Sequence, residues 1–156
     1  MGLDASVRCN CIKEGKAKPH PFPNSLRFDE IDEPYLDSSA SLDEWKTHDR
    51  WFGQSCDHKG YVLSVRLGNI AMVADVRDKL RALRRPGRTF PKLLEHVVQN
   101  GVHSGDHIAA DKSPQLLLEA EQVLSEESLD SLQRDFVEQV KQLCVASIET
   151  GNPIVF

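Results

Sequence analysis

Two pairs of residues carry the chemistry this chain can offer most readily. Cys9-Asn-Cys11 and Cys56-Asp-His58 supply three thiols and an imidazole. Thiolate and imidazole donors in this mixture suit a tetrahedral zinc ion. The single residue separating the members of each pair is tighter than the usual spacing of two to four. On a strand, residues two apart share a face but lie about 6–7 Å apart, which is wide for one ion, and a turn would bring them closer. The same residues have two other readings: small apolar packing groups with His58 bonded locally, or a redox thiol pair. The expected cofactor is therefore zinc or none.

A second group is His103-Ser104-Gly105-Asp106-His107, which follows Gly101. Two glycines let this backbone turn tightly. A histidine beside a carboxylate can act as a general base or a metal ligand. Ser104 lacks the elbow motif that exposes a nucleophile. If His58, His103 and Asp106 converge, the chemistry is that of a small metal-assisted hydrolase. The plainer reading is an aspartate capping a turn beside a backbone-bonded histidine. No complete catalytic constellation is visible, so a non-catalytic role is the first expectation. A third group is acidic: Asp29, Glu30, Asp32 and Glu33 open a Ser-rich stretch and form a candidate contact for a basic partner.

The net charge of -5 and pI near 5.7 argue against nucleic acid as the direct partner, because phosphate binding wants a basic face. One basic cluster exists, Lys79, Arg81, Arg84, Arg85 and Arg88. It falls at the end of an expected helix, where cations offset the macrodipole. No run of about 20 apolar residues would span a membrane, and the first residues lack the apolar core of a signal peptide. The expectation is a cytoplasmic protein with its four cysteines reduced.

The elements that must position these groups read as α+β: a mainly helical single globular domain over 1–156, with four or five helices and a small sheet. Alternation over Ala5–Cys11 suggests a half-buried strand with both thiols on one face. Residues 16–43 form a Pro-rich, then acidic loop region, with a short strand at Leu26–Ile31. Ser41 and Glu44 have capping-box spacing and start a short helix, and Trp45 and Trp51 anchor the loop region. The run Tyr61–Leu67, between Gly60 and Gly68, suits a strand, though a buried helix fits the same run. Asn69 then caps a helix with Ile70, Val73, Ala74, Val76, Leu80 and Leu83 on one face, ended by Pro86 and Gly87.

Further helices are expected from Pro91 to Asn100, from Pro114 to Leu124 with Ser113 as cap, and from Glu126 to Glu149. The last carries a seam of Leu129, Leu132, Phe136, Val140, Leu143 and Ser147 and puts Cys144 in the core. The apolar tail Pro153–Phe156 is expected to pair beside the N-terminal strand.

Four stretches together resemble a group of small uncharacterised bacterial proteins. They are Met1-Gly-Leu-Asp4, the Cys-x-His ahead of Arg66-Leu-Gly-Asn-Ile70, Asn100-Gly-Val-His-Ser-Gly-Asp106 and Gly151-Asn-Pro-Ile-Val-Phe156. Some acidic one-domain proteins of this kind resemble immunity proteins of toxin systems. That resemblance implies a non-catalytic protein-binding role, neutralising a basic toxin or nuclease, and assigns no residue a function. An acidic surface would speed such an encounter.

Overall fold

The computed structural model describes residues 2–98 and 106–156. The fold is α+β, with helices and a small antiparallel sheet. The chain forms two compact units, one of Met1–Val7 with Leu63–Phe156 and one of Arg8–Val62.

The larger unit holds most of the buried apolar side chains. Strand β1 (Gly2–Arg8) alternates buried Leu3, Ala5 and Val7 with more exposed residues, as a strand with one core face must. Strands β2 (Leu26–Phe28) and β3 (Pro34–Leu36) and helix α1 (Leu42–Phe52) belong to the smaller unit. Strand β4 (Tyr61–Asn69) then leads back, and the apolar run is indeed a strand. It extends through Gly68, so that glycine does not break it. A Cβ on Gly68 would sit 2.7 Å from the Met72 sulfur, which explains the missing side chain there. Asn69 caps helix α2 (Ile70–Ala82) by accepting the Met72 N–H at 2.9 Å. Val73, Val76 and Leu80 are buried, whereas Ile70, at the first turn, is exposed.

A π-helical turn, Leu93–Val98, buries Leu93, Leu94, Val97 and Val98, the expected face. The end expected at Asn100–Gly101 lies outside the described residues. After strand β5 (His107–Ile108) come helices α3 (Ser113–Leu124) and α4 (Ser131–Thr150) and strand β6 (Ile154–Val155). Pro114 occupies the first turn of α3, but Ser113 does not cap it. Its hydroxyl is fully buried and donates to Ser147 Oγ at 2.9 Å, a tertiary bond that outcompetes the local one.

Helix α4 starts later than expected because Asp130, with Gln133, forms the capping box. Phe136, Val140, Leu143, Cys144 and Ser147 are buried, while Leu132 of the expected seam is exposed. Gly151 ends the helix at φ +71°, a left-handed position that favours glycine. The tail pairs with the N-terminal strand as expected: Ser6 opposes Val155 and Val7 opposes Ile154, with β5 on the other side of β6. The sheet order is β4-β1-β6-β5. Each large side chain buried in this core contributes about 1.5–3 kcal/mol.

The smaller unit differs from its sequence expectation in two places. The N-terminal strand stops at Arg8, so Cys9 and Cys11 lie in a turn instead of on one strand face. The acidic loop contains β3, which pairs antiparallel with β2 from Leu26↔Leu36 to Phe28↔Pro34. Pro34 begins that short two-stranded ribbon, where the missing N–H is tolerated. Helix α1 has the expected capping box on Ser41. The Trp51 indole N–H donates to the Lys18 carbonyl at 2.9 Å and so ties the Pro-rich segment down.

Candidate metal centre

Two backbone loops in the smaller unit build the site. The first turns immediately after β1. The Cys9 N–H donates to the Gly60 carbonyl at 3.1 Å, and the Cys11 carbonyl accepts from both Lys16 and Ala17 at 2.8 and 3.1 Å. Gly15, at φ +67°, lets the chain reverse there. The second loop closes on itself: Lys59 N–H donates to the Cys56 carbonyl and Tyr61 N–H to the His58 carbonyl, each at 3.0 Å. Lys59 and Gly60 both take positive φ, +52° and +88°. A Cβ on Gly60 would lie 2.5 Å from the Phe52 ring, so only glycine lets helix α1 pack against this loop.

These turns aim Cys9, Cys11, Cys56 and His58 at one point. Their donor atoms all lie within 4.8 Å of one another. The Cys9 and Cys56 sulfurs are 3.6 Å apart, and the Cys11 sulfur is 3.3 Å from His58 Nδ1. A tetrahedral zinc ion with its usual bond lengths would space two sulfurs about 3.8 Å apart, and sulfur from nitrogen about 3.5 Å. The observed separations are close to those edges. The turn, not a strand, supplies the closeness that the one-residue spacing would otherwise deny. All four cysteines are free thiols.

The electrostatics of the cluster are uneven. Burial, then the hydrogen bonds and charges of Cys9 and Cys56, pushes the Cys11 thiol up to about 12. Burial also raises Cys56. The Gly60 N–H, the Cys9 and Cys11 thiols and the His58 N–H outweigh it and bring Cys56 down to about 7. The arrangement thus favours one thiolate held by donors and resists a second beside it. Three thiolates at this spacing require a cation among them. Cys144 is different: burial alone pushes it up to about 12, as for a packed thiol in the core.

The unit around the cluster has little apolar core. Among the described residues of Arg8–Val62, the buried apolar side chains are Cys9, Cys11, Pro34 and Leu36. Trp45, Trp51, Phe52 and Tyr61 are only partly buried. A unit with so few buried apolar side chains would gain stability from a bound metal.

The acidic candidates lie at the β2–β3 hairpin. Asp29 Oδ1 accepts the N–H groups of Ile31 and Glu33 at 3.0 and 2.6 Å. Asp32 pairs with Lys13 at 2.9 Å, and Glu33 pairs with Arg8. Glu30 is exposed. Of the second chemical group, His103 falls outside the described residues. Asp106 is exposed, belongs to the larger unit, and accepts the Phe156 N–H through its carbonyl at 2.9 Å. His58 belongs to the smaller unit, at the cysteine cluster.

Sequence reasoning missed the pair His20 and His48, whose Nε2 and Nδ1 are 3.0 Å apart. The signal for it was the histidine in the Pro-rich segment facing a helix with two tryptophans. The basic cluster after α2 is partly consumed: Arg85 and Arg88 both pair with Glu126, and Lys79 donates to the Ser128 carbonyl at 2.5 Å. Among the described residues, no helix is long and apolar enough to cross a membrane. No protein-family model, curated protein or solved structure matches the chain.

Proposed function

We propose that this is a small zinc-binding protein with a structural centre, in which Cys9, Cys11, Cys56 and His58 Nδ1 hold one ion. The observation that carries the reading is the convergence of three sulfurs and a nitrogen, all within 4.8 Å of one another, from two loops 47 residues apart in sequence. Soft thiolates with one imidazole favour zinc over magnesium or calcium, which prefer oxygen donors. Four protein ligands leave no open position for a substrate, so the role is to hold the fold. The ion would supply charge to three thiolates and clamp the Cys9–Cys11 turn to the Cys56–His58 loop. Loading it displaces thiol protons, so affinity falls as the pH is lowered.

Neither the hydrolase built on His58, His103 and Asp106 nor the immunity-protein reading is favoured by a specific contact among the described residues. Elemental analysis of untagged protein is the test. One zinc per chain, lost in Cys11→Ser, is the expected result. Cobalt substitution should add a sulfur-to-cobalt charge-transfer band. Protein that carries no metal and takes up neither zinc nor cobalt would end the reading.

A further inference from the structure

The cysteine cluster is open on one side. Cys9 and Cys11 are each 8% exposed, whereas Cys56 is half-buried and His58 is exposed. A small polar oxidant therefore meets the Cys56 sulfur before the other two. That sulfur stands 3.6 Å from the sulfur of Cys9. The Cys9 N–H also donates to the Gly60 carbonyl at 3.1 Å, so the backbone ties Cys9 to the loop that carries Cys56. Cys11 reaches Cys56 as well, but its sulfur is engaged by His58 Nδ1 at 3.3 Å. Cys144 is fully buried in the apolar core of the other unit.

Resting on the zinc reading above, we propose that the centre is a peroxide-sensitive switch, with Cys56 the sulfur that is oxidised and Cys9 the sulfur that resolves it. The Cys56 sulfur attacks one oxygen of a hydroperoxide, and the O–O bond breaks. The other oxygen takes a proton and leaves as water, or as an alcohol from an alkyl hydroperoxide, and Cys56 becomes a sulfenic acid. The Cys9 sulfur then attacks the Cys56 sulfur, the S–O bond breaks, and the oxygen leaves as water. Two thiols lose two electrons and the peroxide gains them; where the sulfurs enter as thiolates, the two protons come from solvent.

A disulfide holds its sulfurs about 2.0 Å apart, so this pair closes by about 1.5 Å. The bond consumes two of the four ligands, and Cys11 and His58 alone are too few for a closed tetrahedral site. It also joins the same two loops, 47 residues apart in sequence, that the ion would clamp. The smaller unit thus exchanges one staple for another.

The test treats the full chain, its zinc content already measured, with hydrogen peroxide beside a zinc-sensitive dye. One zinc released per disulfide is expected. After alkylation in denaturant and tryptic digestion, the bond should join peptides 9–13 and 51–59, with fragmentation placing it on Cys9 and finding Cys11 and Cys144 alkylated. Dimedone present during oxidation should label Cys56 and not Cys9. A thiol reductant should restore zinc uptake. The Lys59 and Tyr61 amides, bonded to the Cys56 and His58 carbonyls, should exchange roughly tenfold more slowly in the oxidised chain than in the reduced, chelated one. A bond at Cys11, a bond between chains, dimedone on Cys9, sulfinic acid in place of a disulfide, zinc retained after oxidation, or equal exchange in the two chains would overturn the proposal. Zinc content before peroxide reports on the metal reading alone. A chain without zinc ends that reading, and the disulfide map of the same chain still decides the cysteine pairing.

Discussion

Removing the metal should loosen the smaller unit while leaving the larger one folded. The perturbation is a strong zinc chelator, with Cys11→Ser as its genetic counterpart. Among its described residues, the smaller unit buries only Leu36, Pro34, Cys9 and Cys11 as apolar side chains. One buried leucine contributes about 1.5–3 kcal/mol, whereas each ordered residue costs roughly 1.5 kcal/mol in conformational entropy. The packing of this unit is thin, so an ion bound at the cluster would add measurably to its stability. At free zinc 100 times Kd, the bound ion stabilises by about 2.7 kcal/mol, which is a 100-fold factor in the opening equilibrium.

Native-state hydrogen exchange reads that factor directly. The amides of Cys9, Lys16, Ala17, Lys18, Lys59 and Tyr61 are all bonded to carbonyls of the two loops. Each should exchange at least 100-fold faster after chelation. Amides inside α3 and α4, whose side chains pack in the other core, should change little. If the loop amides keep their protection when zinc is gone, the metal does not hold this unit and the reasoning from its thin core is wrong.

Other outcomes follow from single contacts. Glu119 is buried, accepts the Leu93 N–H at 2.9 Å, and leaves Oε1 without a partner. Burial raises its carboxyl above the ordinary value despite the opposing Leu93 and Lys92 N–H groups. The native state thus keeps the proton to higher pH than the unfolded chain. That stability is full below the unfolded value and is lost as the pH rises through the folded one. Glu119→Gln should flatten this slope in urea unfolding measured from pH 4 to 8, while Glu119→Ala should cost about 1–3 kcal/mol by stranding the Leu93 N–H.

Ser147 Oγ donates to the Asn152 carbonyl at 2.6 Å and accepts from Ser113, all buried. Ser147→Ala should cost about 1–3 kcal/mol, and a double cycle with Ser113→Ala should show coupling rather than additivity. Gly151→Ala meets no atom within 4 Å and should cost roughly 1–2 kcal/mol for its left-handed backbone alone. Gly60→Ala adds a clash with Phe52 and should weaken cobalt binding as well, which Gly151→Ala should not.

The sequence by itself determined the elements whose signals are local. The capping box at Ser41, the Asn69 cap, the glycine stop at Gly151 and the period of α4 each depend on residues within a few positions, so each is readable along the chain. The two ligand pairs were legible for the same reason: Cys and His two residues apart are a chemical signal wherever they fall.

Only tertiary structure decided whether the pairs meet. That depended on β1 stopping at Arg8 instead of running through Cys11, and on Gly60 accepting both a positive φ and the Phe52 ring. It also decided where long-range bonds displaced local ones. Ser113 abandoned its helix cap for Ser147, and Asp29, Asp32 and Glu33 were engaged by their hairpin, Lys13 and Arg8. The His20–His48 pair joins a Pro-rich segment to a helix 28 residues away. Partners so far apart leave no periodicity in sequence, and their meeting is set by how the loops close and pack.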